Sequence, residues 1–161
     1  MICRSTVLLT AFRGTSSEKL IMRFDNGYRK IILENDKNIC ADQLVSALEN
    51  NNINYIISFG QKPVIKDKIY IELAGRNGNT VYNTDFDTGK LAADLNSCGL
   101  LARTSSNAGT SFCNHIYACG LKWISENNYK AKMVFIHVPF EKNISDFDDY
   151  SDKLIKAITH N

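Results

Sequence analysis

Cys113 and His137 are the residues of this sequence whose type and setting are best suited to chemistry. Cys113 stands within Ser105-Ser106-Asn107-Ala108-Gly109-Thr110-Ser111-Phe112-Cys113-Asn114-His115. Upstream, Leu100 to Thr104 reads as a short buried strand. Downstream, Phe112, Ile116, Gly120 and Trp123 recur at helical spacing, which predicts a helix starting near Cys113. A strand turning sharply into a helix sets the first helical residues over unpaired backbone N–H groups and the positive end of the helix dipole. A cysteine there is expected to have a lowered pKa and partial thiolate character, and to be alkylated before Cys3, Cys40, Cys98 and Cys119. The same N–H groups can hold a developing oxyanion. A small apolar residue packed in a core gives the same local pattern, so a base is needed beside the thiol. Phe135-Ile136-His137-Val138-Pro139-Phe140 offers one. Met133 to Val138 is an apolar strand, and His137 falls near its carboxyl end, before a proline that stops it. In open α/β sheets, sites assemble at the carboxyl ends of strands. The expected geometry is a hydrogen bond between Cys113 and His137, somewhat long in a free enzyme.

The segment Ser106 to His115 resembles the nucleophile segment of pyroglutamyl-peptidase I, also called pyrrolidone-carboxylate peptidase. Phe135 to Phe140 resembles the segment that carries this family's catalytic histidine. The resemblance implies that Cys113 is a nucleophile and His137 its base. The family has an I-x-x-E-like segment at about this distance past a Gly-Gln pair. Glu72 in Ile69-Tyr70-Ile71-Glu72 fits it if one residue is inserted after Gln61. Glu72 would then accept the second ring N–H of His137 and fix its tautomer. Asp85 and Asp87 are the alternative carboxylates, and an exposed Glu72 paired with a lysine is the plainer reading.

The family implies a peptide substrate with a pyroglutamyl amino terminus, and neither metal nor cofactor. The first strand of its members ends in a longer Gly-rich loop carrying two phenylalanines that enclose the pyroglutamyl ring. Phe12 matches the first, while Arg13-Gly14-Thr15 stands where the second and a glycine pair are expected. Gly60-Gln61 matches the start of the family's G-Q-A-G-G-R segment, and Lys62-Pro63-Val64-Ile65 replaces the rest. Phe12 and Phe112 are the candidate pocket walls, and Gln61 a candidate for backbone contacts. Three rivals stand beside this reading: an amidase of other specificity, a silent relative that binds a small ligand or serves as a structural subunit, and a metal site of Cys113, His115 and His137. The last has a spacing that matches no zinc pattern.

The 161 residues carry a net charge of +2 with the charges mixed along the chain, which points to neither nucleic acid nor a membrane surface. Five cysteines without a C-x-x-C pair argue against a disulfide framework and for a reducing, cytoplasmic setting. The amino-terminal apolar run is too short for a signal sequence, and no segment is long enough to span a bilayer. A homo-oligomer is compatible with all of this.

Strands are expected at 7–12, 28–33, 53–59, 68–73, 100–104 and 133–140. Helices are expected after Thr15-x-x-Glu18, which forms a capping box, and over Ala41, Leu44, Val45 and Leu48. Others follow Asp87 or Thr88 and begin near Cys113, and a last one has Phe147, Tyr150, Leu154, Ile155 and Ile158 inward. This alternation predicts one α/β domain over residues 1–161, with a mostly parallel twisted sheet and helices on both faces.

Overall fold

The computed structural model describes residues 3–160. In chain order its elements are β1 (Val7–Phe12), α1 (Ser16–Met22), β2 (Arg29–Leu33), α2 (Lys37–Glu49), β3 (Tyr55–Lys62) and β4 (Lys68–Glu72). After these come β5 (Ala74–Asn77), β6 (Thr80–Asn83), α3 (Thr88–Ser97), β7 (Leu101–Ser105), α4 (Phe112–Glu126), β8 (Lys132–Pro139) and α5 (Phe147–Thr159). The order β2-β1-β3-β8-β4-β7 makes a six-stranded sheet, and β5 and β6 form a separate hairpin. Every pairing in the large sheet is parallel except that of β4 with β8. The α/β, mostly parallel architecture is therefore the one the sequence predicts.

β1 and β8 are buried along nearly their whole length, as expected of strands covered on both faces. One face packs Leu20 and Ile21 of α1, Leu91 and Leu95 of α3, and Tyr150 and Leu154 of α5 against Leu9, Ile57, Ile71 and Ile136. The other packs Cys40, Leu44 and Leu48 of α2 and Ile116 and Tyr117 of α4 against Leu8, Ile56, Met133 and Phe135. The second layer carries the candidate nucleophile.

Local signals explain the boundaries. Thr15 accepts a hydrogen bond from Glu18 N at the start of α1, and Asp36, Asp87 and Asp146 cap α2, α3 and α5 through their side chains. Two elements differ from expectation. α2 begins one turn before Ala41, so Cys40 joins the core. The expected buried strand at 100–104 is an edge strand, β7, with Leu101 59% exposed and Arg103 facing solvent. Only alternate residues of an edge strand meet the core, and here those are Ala102 and its neighbour Leu100.

Candidate active site

The site is built on the α2/α4 face of the sheet by period-two alternation. On β3, Gly60 and Lys62 share that face. Gly60 is the Cα partner of His137 on β8, and Tyr70 on β4 is the partner of His137 from the other side. Glu72 lies two residues further along β4, opposite Phe135. The antiparallel run of β4 beside β8 thus brings a carboxylate next to the imidazole. His137 Nδ1–H donates to Glu72 Oε1 at 2.7 Å, with both side chains buried. Glu72 is the carboxylate on His137, while Asp87 is spent on capping α3 and Asp85 is exposed. Tyr117 of α4 donates its hydroxyl to the backbone carbonyl of Glu72 at 2.9 Å, holding the carboxylate in place. Glu72 Oε2 is buried without a hydrogen-bond partner among the described residues.

Cys113 is the second residue of α4. The turn before it is held by Asn107 Oδ1, which accepts from Gly109 N at 3.0 Å, and Gly109 takes the left-handed φ of 85° that the reversal requires. α4 is the one α-helix of the described residues that starts without a side-chain cap, because Ser111 makes no such bond. Its first N–H groups are therefore not filled by a cap, unlike those of α1, α2, α3 and α5. The thiol sits directly over Gly60. A methyl group added there would lie 2.5 Å from Cys113 Sγ and 2.8 Å from Phe135 Cζ, so only glycine fits. Cys113 and His137 consequently approach across Gly60, with the two strands about 4.8 Å apart. No hydrogen bond links Cys113 Sγ to His137 among the described residues, so the expected pairing is not made in the resting arrangement. The imidazole is turned to Glu72 and the thiol rests on Gly60.

The expected low thiol pKa is not found either. Cys113 is 9% exposed, and burial, aided by the negative charge of Glu72, pushes its pKa up to about 12. The helix start does favour the thiolate through the backbone N–H of Cys113 itself, but desolvation outweighs it. The order of alkylation changes accordingly. Cys3 is exposed and its thiol pKa is lowered by a hydrogen bond with Ser5. Limiting iodoacetamide at pH 7 is expected to label Cys3 first, and mass spectrometry of the digested protein checks this. Labelling of Cys113 ahead of Cys3 would show that the thiol is activated at rest.

Phe12, buried at the end of β1, and half-buried Phe112 meet with ring centroids 5.9 Å apart, in the same apolar layer as Cys113 and Ala108. The Gln61 side chain points away from Cys113. Its Oε1 accepts from Ser16 N at 3.1 Å and Ser16 Oγ at 3.3 Å, which leaves its backbone for any contact on the Cys113 side. His115 faces α2, with Nε2 3.0 Å from Lys37 O and 3.6 Å from Cys119 Sγ, so Cys113, His115 and His137 do not converge as a metal set. Two open surface grooves, one including Tyr82, Ile124 and Lys132 and the other Ser16, Gln61 and Phe140, do not include Cys113, His137 or Glu72. Sequence reasoning missed Lys62, Tyr117 and the steric demand at Gly60. The alternation of β3 and β4 carried a signal for the first, and nothing local did for the others.

A mostly parallel α/β sheet that sets a cysteine at a helix start near a buried Glu–His pair brings together the residue types that cysteine hydrolases use. The comparisons narrow this. The profile of the family described as pyroglutamyl peptidase matches residues 61–150, and the chain belongs to that family. It is 32% identical over 106 residues to a pyrrolidone-carboxylate peptidase of Fusobacterium nucleatum, covering 62% of this chain and 46% of the relative. It is 31% identical over 131 residues to one of Brachyspira hyodysenteriae, covering 76% of this chain and 65% of the relative. The matches thus span about half to two thirds of these relatives. A solved pyroglutamyl peptidase I of Bacillus amyloliquefaciens superimposes with a TM-score of 0.82 at 20% identity, over 94% of this chain and 93% of that one. At that identity the likeness shows the fold. No helix of the described residues is long and apolar enough to cross a membrane.

Proposed function

We propose that the protein is a cysteine peptidase that removes amino-terminal pyroglutamyl residues, with Cys113 as nucleophile, His137 as general acid and base, and Glu72 orienting the imidazole. The observation that carries this is the buried Glu72–His137 hydrogen bond on the face where Cys113 Sγ rests over Gly60, the strand partner of His137. Membership of the pyroglutamyl peptidase family supplies the substrate class. In the reactive arrangement the thiol meets the ring nitrogen that Glu72 leaves free. As that nitrogen takes the proton, Cys113 Sγ bonds to the carbonyl carbon, and the uncapped N–H groups at the start of α4 hold the oxyanion. The C–N bond then breaks, and His137 returns the proton to the leaving amine. Water attacks the thioester, with His137 taking its proton, and releases pyroglutamate and the free thiol.

The substrate is a peptide or small amide. No cofactor enters this scheme, and the setting is cytoplasmic. The lactam ring would lie against Phe12 and Phe112, with the Gln61 backbone in reach. Loss of the second phenylalanine wall is expected to cost about 1–3 kcal/mol of transition-state binding, roughly tenfold to two-hundredfold in specificity. The raised thiol pKa and closed resting site favour a slow enzyme. A fluorogenic pyroglutamyl amide, run beside other aminoacyl amides, is expected to be the preferred substrate at low turnover. Preference for another amide would make this an amidase of different specificity, and no turnover of any would make it a silent relative.

A further inference from the structure

We infer that Lys62 is a positioning residue for Cys113: its ammonium supplies the positive charge that lets the nucleophile ionise above Glu72, a role that rests on the peptidase reading. The placement follows from β3. Lys62 is two residues past Gly60, so its side chain leaves the strand on the face that Gly60 leaves bare and where Cys113 Sγ rests. Pro63 follows at once, and Val64 turns back with a φ of 60°, so Lys62 is the last β3 residue on this face.

Three contacts fix the ammonium. Nζ lies 3.5 Å from Glu72 Oε1, the oxygen that also accepts from His137. It donates to Asn107 O at 3.2 Å, in the turn that leads into α4. It also stands 5.3 Å from the centre of the Tyr70 ring, where the aromatic face attracts a cation. Lys62 thus spans the triad carboxylate and the loop that delivers the nucleophile.

The need for such a charge is electrostatic. The groups facing Cys113 are Glu72 from β4, His137 from β8 across Gly60, Lys62 from β3 and Cys40 from α2. A thiolate would sit in an apolar layer near a fully buried carboxylate whose Oε2 has no hydrogen-bond partner among the described residues. Glu72 and Cys40 both oppose ionisation of the thiol, and Lys62 favours it. Lys62 offsets the carboxylate without covering it. Its side chain is 31% exposed, which keeps the ammonium hydrated on one side.

Iodoacetamide reacts with the thiolate, so the alkylation rate of Cys113 between pH 7 and 9 tracks its ionisation without any substrate. The full chain is compared as wild type, Lys62→Met, Lys62→Gln and Lys62→Arg, with Cys3 in the same spectrum as an internal reference. Loss of the charge is expected to slow Cys113 about tenfold at a given pH in both neutral variants, while Lys62→Arg restores it. A merely structural brace predicts the opposite sign, because a loosened site exposes a buried thiol and speeds its alkylation. An unchanged or faster rate in Lys62→Met and Lys62→Gln overturns the proposal, as does equal slowing in Lys62→Arg. These rates are read whether or not pyroglutamyl amides are cleaved, so the two proposals fail separately.

Discussion

Replacing Cys113 with alanine is expected to lower hydrolysis of pyroglutamyl amides by at least about 10⁴-fold while the fold persists. The size of the loss follows from the chemistry. Without Sγ there is no acyl-enzyme, and the Glu72–His137 pair retains only the capacity to activate water at a carbonyl placed for another attacker. The small cost in stability follows from the packing. Cys113 Sγ lies against Gly60 in the same apolar layer as Phe135, and α4 keeps its buried residues Ile116, Tyr117 and Leu121. Removing one buried sulfur leaves a void smaller than those made in Leu→Ala substitutions, so a loss of about 1 kcal/mol is expected, a few degrees in melting temperature. Assay of the purified variant beside its thermal unfolding curve separates these effects. Activity surviving in a folded variant would show that another group is the nucleophile.

What the sequence made legible was the part governed by local pattern. β1 runs over the same residues, Val7–Phe12, that a mostly apolar run bounded by Arg13-Gly14 marks out. The cap at Thr15 formed, Asp87 capped α3, and Gly99 ended it with a φ of 87°. Period-two alternation in Lys68–Glu72 separated Ile69 and Ile71 from Tyr70 and Glu72, and the two sets lie on opposite faces. Harder to read were features set by neighbours distant in the chain. The Arg76-Asn77-Gly78-Asn79 turn was plain, but its flanks β5 and β6 are short and polar. They form a hairpin because Gly75 lets the backbone approach Ala118 of α4, and because Asn114 bonds both N and O of Arg76. The edge position of β7 depends on sheet order, which five residues do not encode. The ionisation of Cys113 is not legible for the same reason. A helix start is visible in sequence, whereas burial against Gly60 and the approach of Glu72 are tertiary facts, and desolvation is the larger effect.

That desolvation has a consequence for stability at alkaline pH. Burial raises the thiol of Cys113 to about 12 and that of Cys40 to about 11, both from an ordinary value of 9.0, and it raises the hydroxyls of Tyr117 and Tyr150 as well. In each case the folded chain holds a proton that the unfolded chain gives up sooner. The stabilisation is complete below pH 9 and is lost as pH rises through the folded values. For Cys113 the slope is about 1.4 kcal/mol per pH unit between 9 and 12, and Cys40 adds to it with the same sign. From pH 9 to 11 Cys113 alone removes up to about 3 kcal/mol, a large share of the 5–15 kcal/mol typical of a domain. Urea unfolding under reducing conditions at pH 8, 9, 10 and 10.5 is expected to show this decline in the wild type. Lysines and surface ion pairs also titrate there, so the informative quantity is the difference from Cys113→Ala, whose curve is expected to be flatter by up to that slope. Cys3→Ala serves as the control, since Cys3 is exposed and its pKa is lowered. Parallel curves for wild type and Cys113→Ala would mean that the thiol ionises as readily in the folded protein as in the unfolded chain. The site would then have to open to solvent far more than the burial of Cys113 against Gly60 allows.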